Sequence, residues 1–143
     1  MKSFEYYSPT SLKEALNLLK AHGEEASILN GGTDLIVRMR EGQSIPKVIV
    51  DIKKIEEFHK IKIEDNHVFI GACMLLNDLG MHPYILEKLP FLSKAALSIG
   101  SKQVRNRATC IGNICNASPL ADTATPLLSL DATVHIYGES GLR

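Results

Sequence analysis

Two stretches concentrate the residue types from which a small-molecule site is built. One is ILNGGTDLI, residues 28–36; the other is RNRATCIGNICNASPLADTATP, residues 105–126. In the first, Gly31 and Gly32 follow an apolar run of β type. Glycine reaches positive φ at little cost and lets the backbone approach a ligand closely. Thr33 and Asp34 then stand where a helix would begin. A helix start carries N–H groups without intrahelical acceptors, and these suit a phosphate. The competing reading is a tight strand-to-helix turn capped by Thr33 or Asp34. The stretch lacks the third glycine of the Rossmann fingerprint and the Gly-Lys-Ser/Thr of a P-loop.

The second stretch holds Cys110 and Cys115, with Cys73 far upstream. Zinc and iron–sulfur sites want about four ligands in closely spaced pairs, so these thiols read as free and buried or half-buried, and no metal site is expected. His22, His59, His67, His82 and His135 form no metal-type pair and read as surface or hydrogen-bonded side chains. Thr109, Gly112, Asn113 and Asn116 suit an anion better, offering hydroxyl, amide and backbone donors. Arg105 and Arg107 either raise the local potential or are solvated surface. Asp122 precedes Thr123 and Thr125 at a helix start, as an N-cap or as an acceptor for a sugar hydroxyl. Two such loops about eighty residues apart suit one extended phosphate ligand, such as a dinucleotide. No side chain stands out as a catalytic acid or base.

The elements that must position these loops are partly legible. Residues 2–7 read as a strand. LKEALNLLKAHG is a helix with Ser11 and Glu14 at capping-box spacing, an apolar stripe of Leu12, Ala15, Leu16 and Leu19, and Gly23 as its stop. Residues 26–29 form a short strand, LIVRMREG a short helix, and KVIVDI a buried strand rich in β-branched residues. Ile61 and Ile63, the turn Asp65-Asn66 and the run 67–70 make a hairpin. Residues 75–80 form a helical turn broken by His82-Pro83. Residues 91–99 form a helix with Leu92, Ala95, Ala96 and Ile99 on one face. Residues 132–137 read as a last strand, followed by a turn over 138–143. That strand has no partner in the sequence, so a larger protein is expected.

The 143 residues fit one domain or two small lobes, with a boundary near 52–58. Hydrophobic residues at 45% and charged residues at 22% suit an ordinary globule. Sixteen basic and sixteen acidic residues cancel, and aromatics are sparse, which argues against nucleic-acid or membrane-surface binding. No apolar run is long enough to span a bilayer, and MKSFEYYSPTS has no apolar signal core. A cytoplasmic protein is the expectation.

GGTDLI at 31–36 and RNRATCIGNICNASPLADTATPLLSLDA at 105–132 resemble the FAD-binding subunit of molybdenum hydroxylases, of the xanthine dehydrogenase and carbon monoxide dehydrogenase type. DIKKIEEF, FIGACMLLNDL and the helix before SKQVRN follow the family's order, so the resemblance covers essentially the whole chain, as an N-terminal portion. It implies an α+β, two-lobed FAD-binding fold of the PCMH or carbon monoxide dehydrogenase flavoprotein type, C-terminally incomplete. A small N-terminal α/β lobe would occupy 1–55. A mainly antiparallel sheet lobe with flanking helices would occupy 56–143. By carry-over, Ile28, Leu29, Asn30, Gly31, Gly32, Thr33 and Asp34 form a first pyrophosphate loop, and Thr109, Cys110, Ile111, Gly112 and Asn113 a second, with Asp122 near the ribose.

The implied role is electron transfer in an oxidoreductase. Iron–sulfur clusters on a small subunit would pass electrons to FAD and on to NAD or another acceptor, with a molybdopterin-binding large subunit as the other partner. Two departures stand out. Asn30 occupies a position where alanine is common. The family's second loop reads Thr-x-Gly-Gly-Asn, and here Ile111 replaces the first glycine. A positive φ there would strain a β-branched residue by about 1–3 kcal/mol. That strain and the short length motivate the alternative, a truncated non-catalytic scaffold subunit of the same fold without flavin.

Overall fold

The computed structural model of the chain describes residues 2–138 and 140–143. It divides into two compact units, Met1–Glu56 with Thr133–Arg143, and Glu57–Ala132. The sequence reading assigns all of 56–143 to a second lobe. In the structure Thr133–Arg143 groups instead with the first unit.

The first unit is built on three parallel strands. They are β1 (Glu5–Tyr7), β2 (Ala26–Leu29) and β3 (Val48–Asp51), ordered β1-β3-β2. Every residue of the central strand is buried, as its apolar run demands. Between β1 and β2 runs α1 (Leu12–His22), and between β2 and β3 runs α2 (Leu35–Arg40). The Ser11 hydroxyl caps α1 by accepting from Glu14 N–H at 3.2 Å. The reciprocal bond closes one residue earlier than in the standard box, because the Glu14 carboxylate accepts from Thr10 N–H at 2.9 Å. Gly23 ends the helix at φ +50° while its N–H donates to Leu19 C=O.

The second unit opens with the hairpin β4 (Ile61–Glu64) and β5 (His67–Ile70), paired Ile61 to Ile70 and Glu64 to His67. Asp65 and Asn66 both take positive φ, which the tight hairpin turn requires. Helices follow: α3 (Leu76–Met81), α4 (Pro83–Lys88), α5 (Pro90–Ser98), α6 (Lys102–Arg105), α7 (Cys110–Cys115) and α8 (Ala124–Ser129). Pro83 starts α4 at a position where its missing N–H costs nothing. One core joins Met74, Leu76, Leu79, Ile85, Leu92, Ala96, Ala108 and Cys110, and Ile61, Val68 and Ile70 pack on it from the hairpin. The antiparallel sheet in these residues is that single hairpin, and helices carry the core. Gly80 lets α3 and α5 meet, since a Cβ there would lie 2.5 Å from Leu97 Cγ.

The strand expected over 132–137 is shorter and is paired. In the first unit, β6 (Tyr137–Gly138) and β7 (Gly141–Leu142) form an antiparallel hairpin, and Ile136 and Arg143 exchange two backbone hydrogen bonds of 2.9 Å. Glu139, within the expected turn, lies outside the described residues, as does Met1. Among the described residues no helix is long and apolar enough to cross a membrane.

Candidate functional site

The first glycine stretch leaves β2 after Leu29, which pairs with Asp51 at the carboxyl end of the parallel sheet. Ligands of open α/β sheets bind at such strand ends. Gly32 has φ +78°, and a Cβ there would sit 2.9 Å from Leu29 Cδ1 and 3.3 Å from Ile36 Cγ1, so the turn requires glycine. The first turn of α2 reaches back into the stretch: Ile36 N–H donates to Gly32 C=O at 3.1 Å, and Arg38 N–H to Asp34 C=O at 3.0 Å. Asp34 holds the N-cap position without a side-chain capping bond. Its carboxylate is exposed and accepts from the Thr33 hydroxyl at 3.4 Å. Ile28 is exposed, while Leu29, Asn30, Gly31 and Gly32 are half-buried.

A polar cluster that the sequence reading misses supports this loop. The Lys53 ammonium bonds the Asp51 carboxylate at 2.8 Å and Asn30 C=O at 3.1 Å. Asp51 also accepts from the Tyr6 hydroxyl at 2.5 Å and from Lys53 N–H at 3.0 Å. Burial alone would push the Asp51 carboxyl up. The bonds from Lys53 and Tyr6 outweigh it and hold the group below its ordinary value. The Tyr6 hydroxyl is raised, chiefly because it donates to that carboxylate. The available signal was an aspartate closing the otherwise apolar run KVIVDI.

The second stretch is tied to the start of α3 by an antiparallel bridge between Leu75 and Thr109. Leu76 N–H donates to Ala108 C=O at 2.9 Å and Cys110 N–H to Met74 C=O at 3.4 Å. Thr109, 2% exposed, caps α7 through its hydroxyl, which accepts from Gly112 N–H at 3.0 Å. A Cβ at Gly112 would lie 2.7 Å from that hydroxyl oxygen, so the glycine permits the cap.

Ile111 lies inside α7 and is not among the positive-φ residues. The strain expected there is therefore not present, because the loop is a helical turn in which isoleucine's φ is ordinary. Ile111 N–H, at the second helical position, has no acceptor among the described residues.

Side chains of the second stretch are largely committed within the protein. Cys110 is 1% exposed, and burial pushes its thiol up to about 11 against a lowering hydrogen bond with Thr123. Cys73 is also buried and Cys115 exposed, and none of the three is in a disulfide. Asn113 Oδ1 accepts from the Thr123 hydroxyl at 2.6 Å and from Thr123 N–H at 3.3 Å. The Arg105 guanidinium donates to Ile99 C=O at 3.1 Å and Gly100 C=O at 2.9 Å, which binds it to the end of α5. The residue at the N-cap of α8 is Thr123, not Asp122. The Asp122 carboxylate is exposed and has no capping role. Thr109, Cys110, Ile111, Gly112, Asn113 and Asp122 are thus joined in the second unit, and residues 28–34 belong to the first.

Each stretch by itself offers a ligand backbone N–H groups beside glycine and one exposed carboxylate, Asp34 in the first and Asp122 in the second. That fits a phosphate-bearing molecule with sugar hydroxyls better than it fits a metal. Among the described residues no three His, Cys, Asp or Glu side chains gather to hold one.

Residues 2–143 match a family described as the FAD binding domain in molybdopterin dehydrogenase. The nicotinate dehydrogenase FAD-subunit of Eubacterium barkeri is 37% identical over 144 residues, covering 100% of this chain and 49% of that protein. Carbon monoxide dehydrogenase from Hydrogenophaga pseudoflava, solved without the Mo-pyranopterin moiety of its cofactor, aligns with a TM-score of 0.91 at 38% identity, over 99% of this chain and 50% of that one. Quinoline 2-oxidoreductase from Pseudomonas putida 86 aligns with a TM-score of 0.94 at 28% identity, over 100% and 50%. The chain spans about half the length of the relatives it matches.

Proposed function

The chain belongs to the family of FAD-binding domains in molybdopterin dehydrogenases, and from that premise we propose that it holds FAD in the electron-transfer subunit of a xanthine dehydrogenase-like molybdenum hydroxylase. The observation that carries this reading is the family match over residues 2–143. Ile28, Leu29, Asn30, Gly31, Gly32, Thr33 and Asp34 supply one set of pyrophosphate contacts, and Thr109, Cys110, Ile111, Gly112 and Asn113 the other. Because Thr109 and Asn113 spend side-chain oxygens inside the protein, backbone donors such as Ile111 N–H do the binding in the second set. Asp122 accepts from the ribose.

The two stretches form parts of the two lobes of one flavin domain. Bound FAD supplies the redox chemistry, and these residues bind and orient it. In the whole protein this domain takes electrons from iron–sulfur clusters on a small subunit, beside a molybdopterin-binding large subunit, and delivers them to NAD or another acceptor. The scaffold alternative loses one of its two motives, since Ile111 is unstrained. Titration of the full chain with FAD, followed by flavin absorbance and fluorescence, tests the proposal. Saturable uptake of one FAD per chain is expected. A chain that folds, assembles and takes up no FAD refutes it.

A further inference from the structure

Within the second stretch, Thr123 is fully buried, with 0% of its surface exposed. Both of its donors meet one atom, and its hydroxyl also hydrogen-bonds with the Cys110 thiol. Its hydroxyl donates to Asn113 Oδ1 at 2.6 Å and its N–H to the same oxygen at 3.3 Å. That N–H belongs to the rigid peptide plane it shares with the carbonyl of Asp122. Pinning it therefore fixes where the chain passes at Asp122. Asn113 in turn sits in α7, whose start is fixed by the Thr109 hydroxyl and by the backbone bridge to Leu75. The intervening residues 116–122 are turns, with Ala117 at φ +52°. The Asn113–Thr123 contact, with the Cys110–Thr123 hydrogen bond beside it, thus sets Asp122 against Thr109–Asn113.

We infer that Thr123 is a positioning residue: through Asn113 it holds the Asp122 carboxylate in register with the stretch Thr109–Asn113, so that one nucleotide engages both. This rests on the reading that the chain binds FAD. Thr123 itself does not touch the ligand. Asn113, assigned to the ligand by resemblance, uses its side-chain oxygen for the register instead.

The test is FAD titration of the full chain carrying Thr123→Val, Thr123→Ser, Asp122→Asn, and the double change Thr123→Val with Asp122→Asn. Thermal unfolding is read alongside. Val keeps the shape and deletes the hydroxyl, leaving Asn113 Oδ1 short of a donor. Thr123→Val is expected to weaken FAD binding about tenfold, while Thr123→Ser stays within about threefold of the parent. In the Asp122→Asn background the Val change is expected to cost less than about twofold, because the group it positions is gone. Thr123→Ala replaces Val, with the same expectation, if Val prevents folding. Equal affinity of the Val variant and the parent overturns the inference, as do losses that simply multiply in the double variant. A folded parent that takes up no FAD overturns the flavin reading and this inference with it.

Discussion

Replacing Lys53 with methionine isolates the polar cluster beneath the first glycine stretch. The substitution keeps the length of the side chain and removes the ammonium that bridges Asp51 and Asn30 C=O. The Asp51 side chain is 8% exposed and that of Lys53 28%, so the pair lies between the surface and the interior. Stripping the partner from a fully buried charge costs about 3–5 kcal/mol, and an exposed pair is worth less than about 1. Asp51 keeps its bonds from the Tyr6 hydroxyl and from the backbone N–H at position 53. The expected loss near neutral pH is therefore about 1.5–3 kcal/mol.

The pH dependence gives this prediction its sign. The Asp51 carboxyl lies below its ordinary value in the folded chain. Its contribution is complete above the unfolded value of 3.8 and is lost as pH falls through the lower folded value. Urea unfolding of the parent and Lys53→Met at neutral pH and near pH 3 should show a gap that narrows in acid. A neutral-pH gap below about 0.5 kcal/mol, or one unchanged in acid, refutes the idea that this ion pair secures the loop.

Three further outcomes follow from the geometry. Gly32→Ala should lose about 1–3 kcal/mol in chemical unfolding and weaken FAD uptake, because a Cβ at φ +78° meets Leu29. Ile111→Gly should lower stability by about 0.5–1 kcal/mol and bring no gain in FAD affinity, since glycine weakens a helix and there is no strain to relieve; a gain in affinity would show that Ile111 obstructs the ligand. Iodoacetamide at pH 8 should label Cys115 quickly in the native chain, with Cys73 and Cys110 reacting only on unfolding, as counted by mass spectrometry.

The elements governed by local chemistry were legible in the sequence. Ser11 and Gly23 bound α1, β-branched residues mark β3, and Asp65-Asn66 supplies a turn that fits a tight hairpin. The second ligand stretch was not. CIGNIC carries a glycine and two β-branched residues and has little helical preference. It is helical because Thr109 caps it and because Cys110 is drawn into the core of the second unit. The Asn113–Thr123 contact joins residues ten apart across a turn, and nothing in either residue's neighbours announces it. Asp122 looked equally suited to capping a helix or meeting a sugar. The structure gives the cap position to Thr123 and leaves Asp122 exposed.

The strand order β1-β3-β2 constrains the order of events during synthesis. The strand that joins the other two is the last of the three to leave the ribosome. Until Val48–Asp51 emerges, β1 and β2 have no partner in this sheet, and α1 has no completed surface to lie on. The nascent first unit must therefore wait with its apolar segments uncommitted, a window in which it is open to chaperones and to wrong pairings. Arrival of Asp51 would close that window in one cooperative step, and the same residue then brings the carboxylate that recruits Lys53 to the glycine loop.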